Sequence, residues 1–437
     1  MNPHVSHFLH DTNDHDIPAP IRDLARQWLL DLIGVAAGGA TTKMSYIIRD
    51  HAAVHFGGQQ AQMLFDGRKV SASGVALAGG ITIDALDAHD GHKLTKGHVG
   101  CGVFSSLLAY AQAEDMRDME AFLTALVIGY EIGTRAGIAL LRTVQDYHTS
   151  GAWIALAVAA LGARVLHLDT AKTREAMGIA EYHGPRSQMM RTIDHPTMVK
   201  DGSGWGAMAG VSAAYLAKDG FTGAPAITVY QDEVADLWAD LGLTWRITEQ
   251  YFKHFPVCRW AQPPLQAVLN LREQHNLTSQ DVTRIEITTF HESLRLAVTA
   301  PTTTEQAQYS TAYPTAVGMV RGTCGPADVH EQSFSDPEIR RLARSMLIRE
   351  SAQYNAAFPA RRIADVTLVL TDGRELQSGP TEALGDPEDP VALDTVVAKY
   401  RSYAGPILGE TRTTSIENLA LNDSDLPALL QLLTQPV

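Results

Sequence analysis

Through the first half of the chain, apolar residues recur every three or four positions, a spacing that predicts helices. Residues 18–37 line up Ile21, Leu24, Ala25, Trp28, Leu29, Leu32 and Ile33 behind Pro20, a residue suited to a first helical turn. Residues 44–56, 73–87, 103–114, 119–141, 150–166, 170–181 and 202–218 follow as further helices, most of them rich in Ala and Leu. Asp118, Thr149 or Ser150, and Asp169 stand where caps are expected. Residues 62–70 form a short extended excursion that turns at Asp66-Gly67. No internal repeat of fixed period is present.

The period changes after Lys253-His-Phe-Pro-Val-Cys258. Residues 263–274 are helical, but 282–290 alternate as a strand does, with Val282, Ile285, Ile287 and Thr289. Residues 363–378 hold two such runs around Asp372-Gly373, a strong hairpin signal. A Pro-rich hinge, Gly385-Asp-Pro-Glu-Asp-Pro390, leads to helices at 391–403 and 415–433. The pattern predicts a mainly α protein. A large all-helical domain, residues 1–256 and 389–437, is interrupted by a smaller α+β domain, residues 257–388.

A chain of 437 residues with 45% hydrophobic and 19% charged residues can bury more than one core. The net charge of -14 argues against nucleic acid or an anionic membrane as partner. No uninterrupted apolar run reaches the roughly 18 residues that span a bilayer. Residues 1–16 lack the basic and apolar regions of a signal peptide. Three scattered cysteines, Cys101, Cys258 and Cys324, offer no disulfide framework and no zinc spacing, which fits a cytoplasmic protein.

The densest chemistry lies between two apolar runs, in residues 84–102. Asp84, Asp87, Asp90, His89, His92 and His98 gather there with Lys93 and Lys96. Titratable groups this dense are costly to bury unless they pair or work. Three readings stand: a solvated charged loop, a divalent metal site, or general acid/base chemistry. The spacing matches no metal motif.

That loop, Tyr147-His148-Thr-Ser-Gly151, Met198-Val-Lys200-Asp-Gly202, Lys253–Cys258 and Gly385-Asp-Pro387 fall in an order that resembles the MmgE/PrpD family over nearly the whole chain. The resemblance implies a helical domain, an α+β lid and a cleft between them. It also implies a homodimer, no cofactor and a small polycarboxylate substrate. Asp84 and His98 resemble the residues that open and close the family's first site loop. His148 and Lys200 resemble its site histidine and lysine, and Tyr313 its lid tyrosine. Two departures matter. The family's Asp-Asp-Thr is replaced here by Leu86-Asp87-Ala88-His89, and Gln262 stands where dehydratases and decarboxylases carry a histidine. The pattern is most similar to the family's iminodisuccinate epimerase, with dehydration or decarboxylation of a tricarboxylate such as 2-methylcitrate or cis-aconitate as the alternative.

Epimerising a carbon beside a carboxylate requires a base on one face and an acid on the other. The carbanion must be held as an enediolate by cations and hydrogen-bond donors. Lys200 is a candidate base, beside Gly202 and Gly204, which allow close approach to a ligand. Tyr147 is the candidate on the opposite face and its neighbour His148 the rival, with His98 and Asp84 assisting. For substrate binding the candidates are His89, Arg186, Arg191, Arg259 and Tyr313, the arginines because a guanidinium fork matches a carboxylate.

Overall fold

The computed structural model describes residues 3–437. Among them are twenty-one α-helices and three small sheets, a mainly α fold. Ala72–Asp84, Gly100–Ala113, Gly151–Val165 and Ser203–Lys218 pack against one another. Glycine permits the closest approach: a Cβ on Gly204 would collide with the Leu77 carbonyl oxygen, and one on Gly206 with the carbonyl oxygen of Gly151. These contacts fix the start of the Ser203–Lys218 helix, and with it the turn carrying Lys200. Met119–Thr143 is long and apolar enough to cross a membrane, but its neighbours bury it almost completely.

The predicted hairpin is present. Ile363–Leu370 pairs antiparallel with Glu375–Gln377 across the Asp372-Gly373 turn, where Gly373 has φ +87. On its other side it pairs antiparallel with Val282–Thr289, which runs parallel to Leu347–Glu350. Alternation buries Val282, Ile285 and Ile287 with Val366, Leu368 and Leu370.

The chain enters and leaves this sheet-bearing segment along neighbouring paths. The Phe252 amide donates to the Gly385 carbonyl at 2.7 Å. Arg259 staples the crossing, donating to the carbonyls of Phe252, Ala383 and Leu384 and to Asp386 at 2.6 Å. Beyond it, Leu393–Leu408 returns onto Ala19–Gly39. There the buried Lys399 meets Asp31 at 2.7 Å and donates to the Ala88 carbonyl.

Three expectations shift. The helix expected at 73–87 ends at Asp84, because the chain turns left-handed at Asp87, φ +45. Residues 415–433 form two helices, Glu410–Leu421 and Leu426–Thr434. Pro427 in the first turn of the second has no amide hydrogen to continue the first. The edge strand Leu347–Glu350 is mostly exposed and gives no alternating signal.

Candidate functional site

The 84–102 segment folds inward rather than into solvent. After Asp84 closes its helix, Gly91–His92 pairs antiparallel with Gln250–Tyr251, and the His92 amide donates to the Gly97 carbonyl. The loop thus arrives beside Lys253. Asp84, Asp87, His89, Lys200, Asp201 and Lys253 are each 2% exposed or less. Seven non-glycine residues have positive φ among the described residues, and Asp87, Lys96 and Lys200 are three of them. Strained backbone of this kind gathers where the surrounding structure over-determines it.

Charges in the cluster are matched in pairs. Lys253 Nζ lies 2.5 Å from Asp87 Oδ1, and His89 Nε2 lies 3.4 Å from Asp84 Oδ1. Burial opposes the charge on both members of the second pair. The His89 contact nonetheless holds Asp84 well below the usual carboxylate range, while Cys101 and Asp84 push His89 well upward. His98 stacks edge-on against His89 at 4.4 Å. Burial, then the charges of His89 and Lys253, push His98 down to about 3, so it is neutral. Its Nδ1 hydrogen donates to the Asp90 carbonyl, which leaves the Nε2 lone pair 3.7 Å from Asp87.

Lys200 Nζ donates to Gln308 Oε1 at 2.5 Å and lies 5.0 Å from the centroid of Tyr309. Gln308 cannot turn its amide over, because its nitrogen already donates to the Ala85 carbonyl and to Thr304 Oγ1. Next to Lys200, Asp201 accepts from Ser150 Oγ, which in turn accepts from the His98 amide. Burial, then Asp84, push Asp201 up to about 7.

The raised acid has a sign that can be tested. Its proton is held more tightly folded than unfolded, so its contribution to stability is full below about pH 4 and lost as pH rises through about 7. Asp201→Asn keeps an acceptor for Ser150 and removes that loss. The variant is expected to gain melting temperature relative to the parent between pH 5 and pH 8. A constant difference across thermal scans at pH 5, 6.5 and 8 would contradict it.

Tyr147 donates its hydroxyl hydrogen to the Lys96 carbonyl and packs 6.5 Å from Trp260. Burial, then Asp201, raise its phenol well above 10, so it rests as a proton donor. His148 is buried with Nδ1 unpartnered, and its backbone bridges to Gln188.

Other candidates lie elsewhere. Arg186 and Arg191 are exposed, on the surface stretch before Lys200. Arg259 is spent on the hinge carbonyls and Asp386, and not on an open carboxylate slot. Tyr313 donates to the Asp328 carbonyl at 2.8 Å within the sheet-bearing segment, and Tyr309 is the tyrosine beside Lys200. The Gln262 amide nitrogen donates to the Phe255 and Val257 carbonyls, both at 3.1 Å. No group of three or more His, Cys, Asp or Glu side chains is arranged to hold a metal ion among the described residues. His92 faces Glu249, and the Asp90 carboxylate accepts from the Tyr130 hydroxyl.

The residues that the sequence reading missed in this role are Lys253, Asp201, Gln308 and Tyr309. Lys253 and Asp201 lay inside motifs already noted. Tyr309 opens the segment 309–314, in which Tyr313 resembles the family's lid tyrosine, and Gln308 directly precedes it.

Residues 4–240 match the MmgE/PrpD N-terminal domain and residues 255–424 the MmgE/PrpD C-terminal domain. The chain is 24% identical to a cis-aconitate decarboxylase of Aspergillus terreus, over 99% of this chain and 96% of that one. It is 22% identical to the cis-aconitate decarboxylase-like protein oryM of Aspergillus oryzae, over 98% and 96%. It is 21% identical to the cis-aconitate decarboxylase of Homo sapiens, over 92% and 87%. With both domains matched in sequence order, the chain belongs to the MmgE/PrpD family.

Proposed function

We propose that the protein is an epimerase that removes and returns a proton at a carbon next to a carboxylate of a small amino-polycarboxylate, of the iminodisuccinate kind, without a cofactor. Lys200 takes the proton from one face. The electron pair moves into the carboxylate as an enediolate, which the cationic His89 and nearby donors stabilise. Tyr147 gives a proton to the other face; its phenolate then regains a proton from solvent, and the Lys200 ammonium gives its proton up to solvent, which resets both groups. The observation that supports the reading is a buried lysine beside Asp201 and a half-buried, protonated tyrosine that feels the same Asp201, while position 262 offers no titratable proton.

The names of the relatives favour a second reading, decarboxylation of a tricarboxylate such as cis-aconitate. One experiment separates the two. Purified protein is incubated in D2O with iminodisuccinate or with cis-aconitate, in the presence of EDTA, and followed by proton NMR. The expected result is loss of the α-proton signal of iminodisuccinate together with loss of optical rotation. Release of CO2 with a new alkene signal from cis-aconitate, and no exchange from iminodisuccinate, would replace the epimerase by the lyase. Activity lost to EDTA and restored by one divalent ion would overturn the cofactor-free chemistry.

A further inference from the structure

Two cations at the edge of the cluster stand without a carboxylate. Four arginines are buried among the described residues: Arg49, Arg135, Arg259 and Arg362. The first three are partnered, Arg49 by the carbonyls of Ala40, Ser45 and Phe65, Arg135 by ion pairs to Glu131 and Asp240 that leave only its Nε without an acceptor, and Arg259 by Asp386 and three carbonyls. Arg362 is different. It is 3% exposed and makes no ion pair among the described residues. Its Nε and Nη1 have no acceptor, and Nη2 makes one long contact, 3.5 Å, to the Lys93 carbonyl. The Tyr251 ring lies 5.1 Å from the guanidinium carbon. A buried guanidinium with unmatched donors is costly, and the cost is recovered when an anion meets it.

The second cation is Lys96. Its ammonium sits 4.3 Å from the centroid of Tyr147 and also lacks an ion pair among the described residues. Burial lowers its proton affinity; Glu292 opposes this and the charge of Arg362 adds to it, so the two cations feel each other. Lys96 belongs to the site loop, and Arg362 leads into the strand Ile363–Leu370 of the sheet-bearing segment. An anion between them would bind both parts of the molecule at once.

We propose that Lys96 and Arg362 hold a carboxylate of the substrate remote from the carbon that exchanges its proton. The guanidinium takes it as a fork and the ammonium as a point charge. The substrate must then carry at least two carboxylates, one at the reacting carbon and one in this slot. Its far end is anchored beside Tyr147, and its negative charge draws the sheet-bearing segment onto the loop. The ligand class rests on the polycarboxylate reading above; the site itself does not depend on which reaction follows.

The test reads binding without turnover. Isothermal titration of the full-length protein with tricarballylate, an unreactive tricarboxylate, is compared with acetate. The parent is expected to bind tricarballylate. Arg362→Gln and Lys96→Met should each weaken that binding by at least about 10-fold, the worth of a charge-assisted contact. Acetate should show no dependence on either residue. Ligand-free Arg362→Gln should melt at the parent's temperature or above, since it removes an unpaired buried cation, whereas an arginine with only a structural role would lower it. Tricarballylate affinity within twofold of the parent in both variants, or no binding to the parent, overturns the assignment. Arg362-dependent binding without any proton exchange would remove the epimerase reading and leave this site standing.

Discussion

Lys200→Ala and Tyr147→Phe are each expected to lower turnover by at least about 10²-fold, the usual worth of a positioned acid or base. The two losses should differ in kind. If Lys200 serves one face of the carbon and Tyr147 the other, Lys200→Ala should stop α-proton exchange from one enantiomer more than from its mirror image. Tyr147→Phe should show the opposite preference. The raised phenol sharpens this, because Tyr147 rests protonated and is the weaker partner whenever it must act as base. Exchange is measured in D2O on each enantiomer separately, with melting temperatures taken alongside. Lys200→Ala leaves Gln308 Oε1 without its donor, so a modest loss of stability, about 1–3 kcal/mol, accompanies the chemical effect. Near-normal epimerisation by Tyr147→Phe, with activity lost in His148→Ala, would transfer the second role to the histidine.

The largest effect on stability is expected at Lys253. This ammonium and the Asp87 carboxylate are both buried, 2.5 Å apart. Lys253→Met keeps most of the volume and strands the carboxylate. Breaking a buried pair from one side costs about 3–5 kcal/mol. Lys200 and His89 also favour the ionised Asp87, which places the expectation near the lower end. The paired double variant Lys253→Met with Asp87→Asn should recover most of the loss, because asparagine tolerates the left-handed backbone at this position and carries no charge. The deficit of the single variant should also be pH-dependent. Asp87 has a depressed affinity for its proton in the parent, so its contribution is present above about pH 4 and lost below it as the group protonates. Denaturant titrations at pH 7 and at about pH 3 should show the single variant approaching the parent at the lower value. A midpoint unchanged at pH 7 would mean that the pair contributes nothing.

The helical body was readable because its signal is local. Leu, Ala and Ile at helical spacing mark Ala19–Gly39 and Met119–Thr143 whatever they pack against. Asp372-Gly373 announced its hairpin for the same reason. The site was legible only where its residues share a loop or a motif. Asp84, His89 and His98 could be found together, Lys200 by its resemblance to a family's site lysine, and Tyr147 as the neighbour of the family-like His148. Distant partners could not. Gln308 reaches Lys200 from 108 positions away, and nothing in its neighbours marks it. Arginines posed the same difficulty. In sequence, Arg259 at the junction of the two expected domains stands out as a carboxylate ligand, and nothing singles out Arg362. Only the backbone carbonyls around the first, and the lack of acceptors around the second, separate them.

Lys399 ties the end of the chain to the site loop, and this sets an order for events during synthesis. Its ammonium holds the Ala88 carbonyl, 311 positions earlier, together with the carboxylate of Asp31. The residues bearing the chemistry therefore leave the ribosome long before the one that fixes their loop. A nascent chain stalled before the Leu393–Leu408 helix would carry its aspartates and histidines without that support. It would lack that contact until Lys399 itself had been made.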